Sequence, residues 1–391
     1  MPRLVIITPA PVIETPAGEL VLDLGFVEGM KLHCQLWPGP VTCLMRRSDN
    51  PVPHPMRFSP RQLDFELTIL DEQAPLPELL LDTAHMVYCA ADDMRHLDLP
   101  EILRGRMARL IYTIEQPLAG RLHAALAGRR RSLRKRLRTA LWALTREARL
   151  RRALAAADGM HGNGLPAWRA YRHLNRNAIL YLDNRMRRPL LVRAEEQAAR
   201  AARLRDGAPL RLVYFGPLES DSGVQDILPL AHLAANAGLD FRIDIFGEGP
   251  LAPRLSDGIE SLGLTGRVRL SAPPGFDTVL VPKLRREADI FLAPRRLSDP
   301  LTSYIEAMGS GLPVLGYANS MWRMLQAESG AGWAVPARPG AVMRRLLHLD
   351  SNREAVIVAS KLAVAFAREN SFESVFARRM GHLRKLAGFD E

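Results

Sequence analysis

Residues 291–317 read FLAPRRLSDPLTSYIEAMGSGLPVLGY. An apolar run ends in a polar turn, a short stretch of helix formers follows, and a second apolar run begins after Gly311, which is the pattern of a buried strand, a helix and another buried strand. Asp299 can cap this helix, and Pro300 suits its first position because its fixed φ is already helical and it has no amide hydrogen to lose. The helix start then faces the strand ends, the edge where open parallel sheets take ligands. The amides of Leu301, Thr302 and Ser303 would lie there without intrahelical partners, well placed for phosphate, with two hydroxyls beside them. Glu306 sits one turn further on as the single acid of the helix. Spacing alone makes it an ordinary helix residue as readily as a ligand-binding group.

Outward from this stretch, short apolar runs alternate with helical stretches, which favours parallel sheets covered by helices on both faces. Candidate strands in the first half are 4–8, 41–45, 65–70, 85–89, 109–114 and 178–182. The second half begins afresh at Leu210, with strands at 212–215, 242–246, 268–271, 290–293, 314–316 and 332–335 and helices at 224–236 and 251–262 that end near Gly238 and Gly263. Two doubly wound domains joined near residues 186–209 fit this layout. At 391 residues the chain suits two cores rather than one.

Apolar residues make up 47% of the chain, yet no uninterrupted run approaches the ~18 residues of a membrane span. The N-terminus, MPRLVIITPAP, lacks the long core and cleavage site of a signal peptide, so a cytoplasmic location is expected. Cys34, Cys43 and Cys89 are far apart, without CxxC spacing or histidine partners, and read as core thiols. The net charge is +11, carried by 53 basic groups against 42 acids. Residues 121–152 alone hold twelve basic groups against the single acid Glu147, so this one segment equals the whole excess.

Four pieces occur in a recognisable order: VYFGPLESDSGVQDILPLA, RIDIFGEGP, ADIFLAP and IEAMGSGLPVLGY. With them, residues 210–386 resemble the donor domain of GT-B glycosyltransferases of the GT4 type (glycosyl transferases group 1). The resemblance implies an α/β GT-B fold: two Rossmann-like doubly wound domains facing a cleft, with a C-terminal crossover helix. The implied domains are 1–205 for the acceptor, 206–370 for the nucleotide sugar, and 371–391 as a helix returning to the first. It also implies a nucleoside-diphosphate sugar as donor substrate, no cofactor and no metal, and retention at the anomeric carbon without a protein nucleophile. Glu306 matches the second of two glutamates, eight positions apart, that straddle the donor sugar, and would accept from two ribose hydroxyls. Ser298 stands at the first. Pro217 and Ser222 stand where the family usually places an arginine and a lysine against the diphosphate. Arg295 and Arg296, beside the helix start, can replace that positive charge or can be solvent-facing arginines. Gly216 and the turn residues Gly247, Glu248 and Gly249 would let backbone approach the donor, although turn formation accounts for the glycines equally well.

In the first domain, YTIEQP around Glu115 and ADGMHGNG around His161 read as loops at strand ends. Either Glu115 or His161 can orient or deprotonate an acceptor hydroxyl, or serve as a loop polar group or cap. The basic segment predicts a helix at 129–155. Leu133, Leu137, Leu141, Leu144 and Ala148 form one stripe, opposite Arg131, Lys135, Arg138, Arg146 and Arg149, with Trp142 among the cations. Tryptophan among basic residues suits the headgroup region of an anionic membrane. A solvated or domain-packed face is the alternative, and nucleic acid is disfavoured because one indole makes no stacking series. The expected function is therefore transfer of a sugar from a nucleotide sugar to a cell-surface polysaccharide, a lipopolysaccharide or a lipid-linked glycan precursor, on the inner face of the plasma membrane. The competing reading is a non-catalytic GT-B protein that binds a nucleotide, a glycan or a glycosyltransferase partner.

Overall fold

The structure is a computed structural model that describes residues 1–47, 52, 55–126, 133–298 and 300–389. The chain forms two compact units, Met1–Tyr181 with Val375–Glu391, and Leu182–Ser374.

In the first unit a seven-stranded sheet runs in the order β10-β9-β8-β7-β1-β4-β6, with every pairing parallel. Its strands are β1 (Arg3–Ile7), β4 (Val41–Arg46), β6 (Glu66–Leu70), β7 (Ala84–Ala90), β8 (Arg109–Ile114), β9 (Gly159–Asn163) and β10 (Ala178–Tyr181). A small antiparallel sheet, β2 (Ile13–Glu14), β3 (Leu20–Asp23) and β5 (Pro55–Phe58), completes the strand inventory of the unit among the described residues. Both faces of the large sheet are covered, so alternate residues of one strand enter different cores. Leu4 and Ile6 of β1 join Cys43, Met86 and Ile111 in one cluster, while Val5 and Ile7 join Leu44, Val87 and Tyr112 in the other. The three cysteines are free, with Cys43 and Cys89 buried. Burial pushes both of those thiols far up, and it pushes the half-buried Cys34 up to about 11.

In the second unit six parallel strands run in the order β13-β12-β11-β14-β15-β16. They are β11 (Leu210–Phe215), β12 (Phe241–Phe246), β13 (Val268–Ser271), β14 (Ile290–Ala293), β15 (Val314–Tyr317) and β16 (Gly332–Val335). The order reverses between β11 and β14, which creates a crevice outside their carboxyl ends. Leu212, Tyr214, Ile243, Ile245 and Leu292 share one core. On the neighbouring positions Phe215 and Phe291 pack with ring centroids 4.7 Å apart.

Two sequence expectations change here. The stretch around His161 is not a loop but the buried strand β9. Its glycines hide the strand pattern, yet packing demands them: a Cβ on Gly162 would lie 2.7 Å from Trp168 Cα, and one on Gly159 2.7 Å from a Leu386 methyl. Residues 182–205, placed before the second domain, belong to the second unit. There Arg200 is buried and donates to the carbonyls of Gly311 (2.6 Å), Arg285 (2.7 Å), Ser310 (3.0 Å) and Leu284 (3.3 Å), and Arg203 pairs with the buried Asp289.

The helix Leu133–Ala156 has a rotation that the sequence left open. Its leucine stripe is not the core-facing side, since Leu137, Leu141 and Leu144 are 64%, 56% and 49% exposed. The buried side carries Ala143, Glu147, Leu150 and Leu154 instead. Glu147 decides this rotation, because its carboxylate pairs with Arg121 and accepts from Tyr171 Oη at 3.1 Å.

Candidate functional site

The candidate site follows the carboxyl edge of the second sheet. The helix after β14 spans Thr302–Gly309, with Leu301 as an extended N-cap and no side-chain cap bond. It therefore starts two residues later than Pro300 would place it, and Asp299 lies outside the described residues. The backbone amides of Thr302 and Ser303 occupy the first turn, while Leu301 supplies the cap. Tyr304 N already donates to the Leu301 carbonyl at 3.3 Å.

Glu306 lies in the second turn and is 1% exposed. Both of its carboxylate oxygens are taken by one guanidinium: Arg185 donates from Nε to Oε1 at 2.9 Å and from a terminal nitrogen to Oε2 at 3.2 Å. Such side-on pairing is the strong geometry for arginine and carboxylate. The Arg185 side chain is 41% exposed, and its guanidinium also stacks over Phe276 at 4.1 Å from the ring centroid. Its position is set by its neighbours. Asn184 Nδ2 donates to the carbonyls of Leu182 (2.9 Å) and Asn370 (3.0 Å), Met186 N donates to Asn184 Oδ1 (2.9 Å), and Phe372 N donates to the Met186 carbonyl (2.9 Å). Nothing in the sequence singles out Arg185 among so many arginines. The spacing that marked Glu306 carries no information on a partner 121 residues away.

The residues at the positions of altered polarity are committed to structure. Ser298 Oγ accepts from Ser320 N at 3.1 Å and so holds a first-turn amide of the helix Ser320–Ser329. Ser222 is buried, donates to the Glu219 carbonyl at 2.7 Å and accepts from Val224 N at 3.3 Å. The Pro217 carbonyl accepts from Tyr214 Oη at 2.8 Å. The next residue after that turn, Gly223, has φ +76°, and a Cβ there would lie 2.0 Å from the Pro294 carbonyl oxygen. The loops that follow β11 and β14 are thus pressed together.

The glycine turns also meet one another. A Cβ on Gly247 would lie 2.1 Å from the Gly216 oxygen, and one on Gly249, at φ +146°, 2.7 Å from the Leu218 oxygen. Leu218 N donates to the Glu248 carbonyl at 2.8 Å while the Glu248 side chain is exposed. Close approach of loop to loop is therefore a sufficient reason for glycine at 247 and 249, and the φ of +147° for glycine at 216.

The two arginines differ in setting. Arg296 pairs with Asp226 at 2.6 Å and lies over the Tyr317 ring at 5.0 Å, so it is not simply solvent-facing. Tyr317 Oη also donates to Asp226 Oδ2 at 2.8 Å, and burial, then Asp226, pushes the phenol up. Arg295 is half-buried; its carbonyl accepts from Asn319 Nδ2 at 3.0 Å.

In the first unit, Glu115 and Asn163 come together at the carboxyl ends of β8 and β9, with Asn163 Nδ2 donating to Glu115 Oε1 at 2.8 Å. The backbone amides of Glu115 and Gln116 are held by Asp92, whose carboxyl is raised by burial. His161 is elsewhere: it is wholly buried within β9, with Nδ1 3.0 Å from Tyr88 Oη and Nε2 2.9 Å from His382 Nδ1. Arg379 donates to the same Tyr88 oxygen from two nitrogens, at 2.8 and 3.1 Å. Tyr88 Oη then donates to His161 Nδ1, and His161 Nε2–H to His382, which fixes a neutral tautomer. Burial, followed by the charge of Arg379, holds the His161 pKa well below its usual value. With both nitrogens engaged, His161 does not reach an acceptor, which corrects its reading as a loop base.

On the helix Leu133–Ala156, Arg138, Arg149 and Trp142 are exposed, and the Arg146 guanidinium lies 3.6 Å over the Trp142 ring. Arg131 lies outside the described residues, and Lys135 is described in backbone only. No helix among the described residues is long and apolar enough to cross a membrane. No group of three or more His, Cys, Asp and Glu side chains among them is placed to hold a metal ion.

No protein-family model matches the chain, and no curated protein matches it in sequence. Solved structures do resemble it. HepE from Anabaena in complex with UDP shares 11% identity at a TM-score of 0.67, covering 98% of this chain and 100% of that one. Sucrose-phosphate synthase from Thermosynechococcus elongatus shares 14% at 0.65, covering all of both chains. The lipopolysaccharide outer core galactosyltransferase WaaB shares 12% at 0.62, covering 98% and 99%. HepE is also seen with UDP-glucose. At these identities the likeness speaks for the fold, and the fold is that of the GT-B glycosyltransferases.

Proposed function

We propose that this chain is a retaining glycosyltransferase of the GT4 type. In this reading it moves a sugar from a nucleoside-diphosphate sugar to a cell-surface polysaccharide, a lipopolysaccharide or a lipid-linked glycan precursor. The observation that carries the reading is Glu306: a dry carboxylate on the helix that follows β14, at the carboxyl edge of a Rossmann-ordered sheet. The fold neighbour HepE, with UDP and UDP-glucose, supports a nucleotide-sugar donor.

In this account Glu306 receives the two ribose hydroxyls. Because Glu306 is sealed by Arg185, the nucleoside must exchange with or displace that guanidinium, which is the mobile partner by exposure. The amides of Leu301, Thr302 and Ser303 take the phosphates. Arg295 and Arg296 add positive charge, with Arg296 leaving Asp226. Glu115 touches the acceptor hydroxyl. Departing phosphate takes the acceptor proton, so transfer requires neither a protein nucleophile nor a metal, and a chelator leaves the rate unchanged.

Membrane association belongs to the same proposal. Arg134, Arg138 and Arg149 are exposed on the helix Leu133–Ala156 between the exposed leucines and Trp142, an arrangement suited to an anionic bilayer surface on the cytoplasmic side. One observation favours the second reading, a non-catalytic binding protein: Ser298 and Ser222 are spent on backbone bonds where the relatives' pattern calls for an acid and a cation. A thermal-shift screen with UDP, GDP and ADP sugars and their free diphosphates, followed by turnover with a membrane extract, separates the two. Stabilisation with sugar transfer supports the enzyme, and stabilisation without transfer supports the binding protein. No stabilisation by any of them contradicts the donor site itself.

A further inference from the structure

A cavity of about 450 Å³ opens in the first unit at the carboxyl ends of β1, β4 and β6, bounded also by Asp93, Arg95 and His96 after β7. That volume suits one or two sugar rings, and its position is where parallel sheets take ligands. Its wall carries three guanidiniums, of which two are already neutralised. Arg47 pairs with Glu14 at 2.6 Å and Asp71 at 3.6 Å, and Arg95 pairs with Asp93 at 3.0 Å.

Arg46 is different. It donates only to the backbone carbonyls of Asp71 (2.7 Å) and Glu72 (3.0 Å), it makes no ion pair among the described residues, and its Nε is buried without a partner. A guanidinium held by neutral oxygens is left without a counter-charge, which an oxyanion in the cavity can supply. His96, also on the wall, is 8% exposed and its ring makes no hydrogen bond among the described residues. Burial first, and then the charge of Arg46, holds it neutral, with Asp93 and Asp98 acting in the opposite sense and Arg95 in the same one. Among the described residues the cavity thus offers one cation without a counter-charge, one neutral imidazole and several carboxylates already paired or exposed. That set matches a polyhydroxylated ligand with a single negative group.

We propose that this cavity binds a glycosyl acceptor through one oxyanion, a carboxylate or a phosphate, seated on Arg46, with its hydroxyls on the remaining polar wall. The inference rests on the transferase reading for the word acceptor, while the binding itself does not. Calorimetric titration of the full chain with glucuronic acid, glucose 6-phosphate and glucose tests it, the first two separating a carboxylate from a phosphate source. Binding of at least one anionic sugar about tenfold or more tighter than glucose is expected. Arg46→Gln should abolish that preference, Arg46→Lys should keep part of it, and the urea midpoint of each variant reports whether it folds. Equal binding of all three sugars, no binding of any, or an undiminished preference in folded Arg46→Gln overturns the proposal. A parallel titration with UDP, GDP and ADP keeps the two failures apart: binding of one of them with no anion preference removes this inference alone, whereas no binding of any of the three removes the donor site.

Discussion

Replacing Arg185 by alanine leaves the Glu306 carboxylate, 1% exposed, without the guanidinium that meets both of its oxygens. Exposed pairs are worth roughly 0–1 kcal/mol, and breaking a fully buried pair costs about 3–5 kcal/mol. This pair lies between, with a dry acid and an arginine that is 41% exposed. The cost should be about 2 kcal/mol, near a thirtyfold change in the unfolding equilibrium, with part of it from the lost stack on Phe276. Urea unfolding of wild type, Arg185→Ala, Glu306→Gln and the double variant closes a thermodynamic cycle. The double variant should be more stable than the sum of single effects predicts, by about 1 kcal/mol or more, because a neutral carboxamide tolerates the loss of the arginine. A cost below about 0.5 kcal/mol for Arg185→Ala, or additive effects, would refute the bidentate clamp.

Two further expectations concern the first unit. His33 is buried, with burial lowering it to about 3, and His161 is held well below its usual value by burial. Both bind protons more readily when unfolded, so their contribution is complete above pH ~6.5 and is lost as pH falls toward the folded values. Between pH 7.5 and 5.5 urea unfolding should lose about 3 kcal/mol, and His33→Leu should lose about half as much; a pH-independent midpoint contradicts the neutral buried network. On the basic helix, Leu141→Asp should weaken binding to phosphatidylserine vesicles by about tenfold or more, with Trp142→Ala acting in the same direction. Cosedimentation at low salt measures it, and unchanged binding by both variants rejects the membrane face.

Much of the sheet architecture was readable because parallel strands are short runs rich in apolar residues: 109–114, 268–271, 290–293 and 332–335 agree with the observed strands at both ends, and 290–293, IFLA, is apolar and buried throughout. The strand Gly159–Asn163 was not, since glycines chosen for contact with Trp168 and Leu386 carry no β pattern. Helical projection found the stripe of Leu137, Leu141 and Leu144 but could not say which side faces inward. That depended on Glu147 meeting Arg121 and Tyr171, a buried polar contact between distant residues. At the candidate site Glu306 stood out through the resemblance of residues 210–386 to the GT4 pattern, since its place and spacing alone fitted an ordinary helix residue as readily. Arg185 and the capping work of Ser298 did not, because each depends on a partner brought near only by folding.

The donor site stands or falls on calorimetric titration of UDP, GDP and ADP into wild type, and of whichever binds into Glu306→Ala. Two charge-assisted bonds from ribose, partly offset by the exchange of Arg185, should make the Kd rise by about thirtyfold or more on truncation. A Kd that stays within about twofold, or no binding of UDP, GDP or ADP by the wild type, contradicts the account.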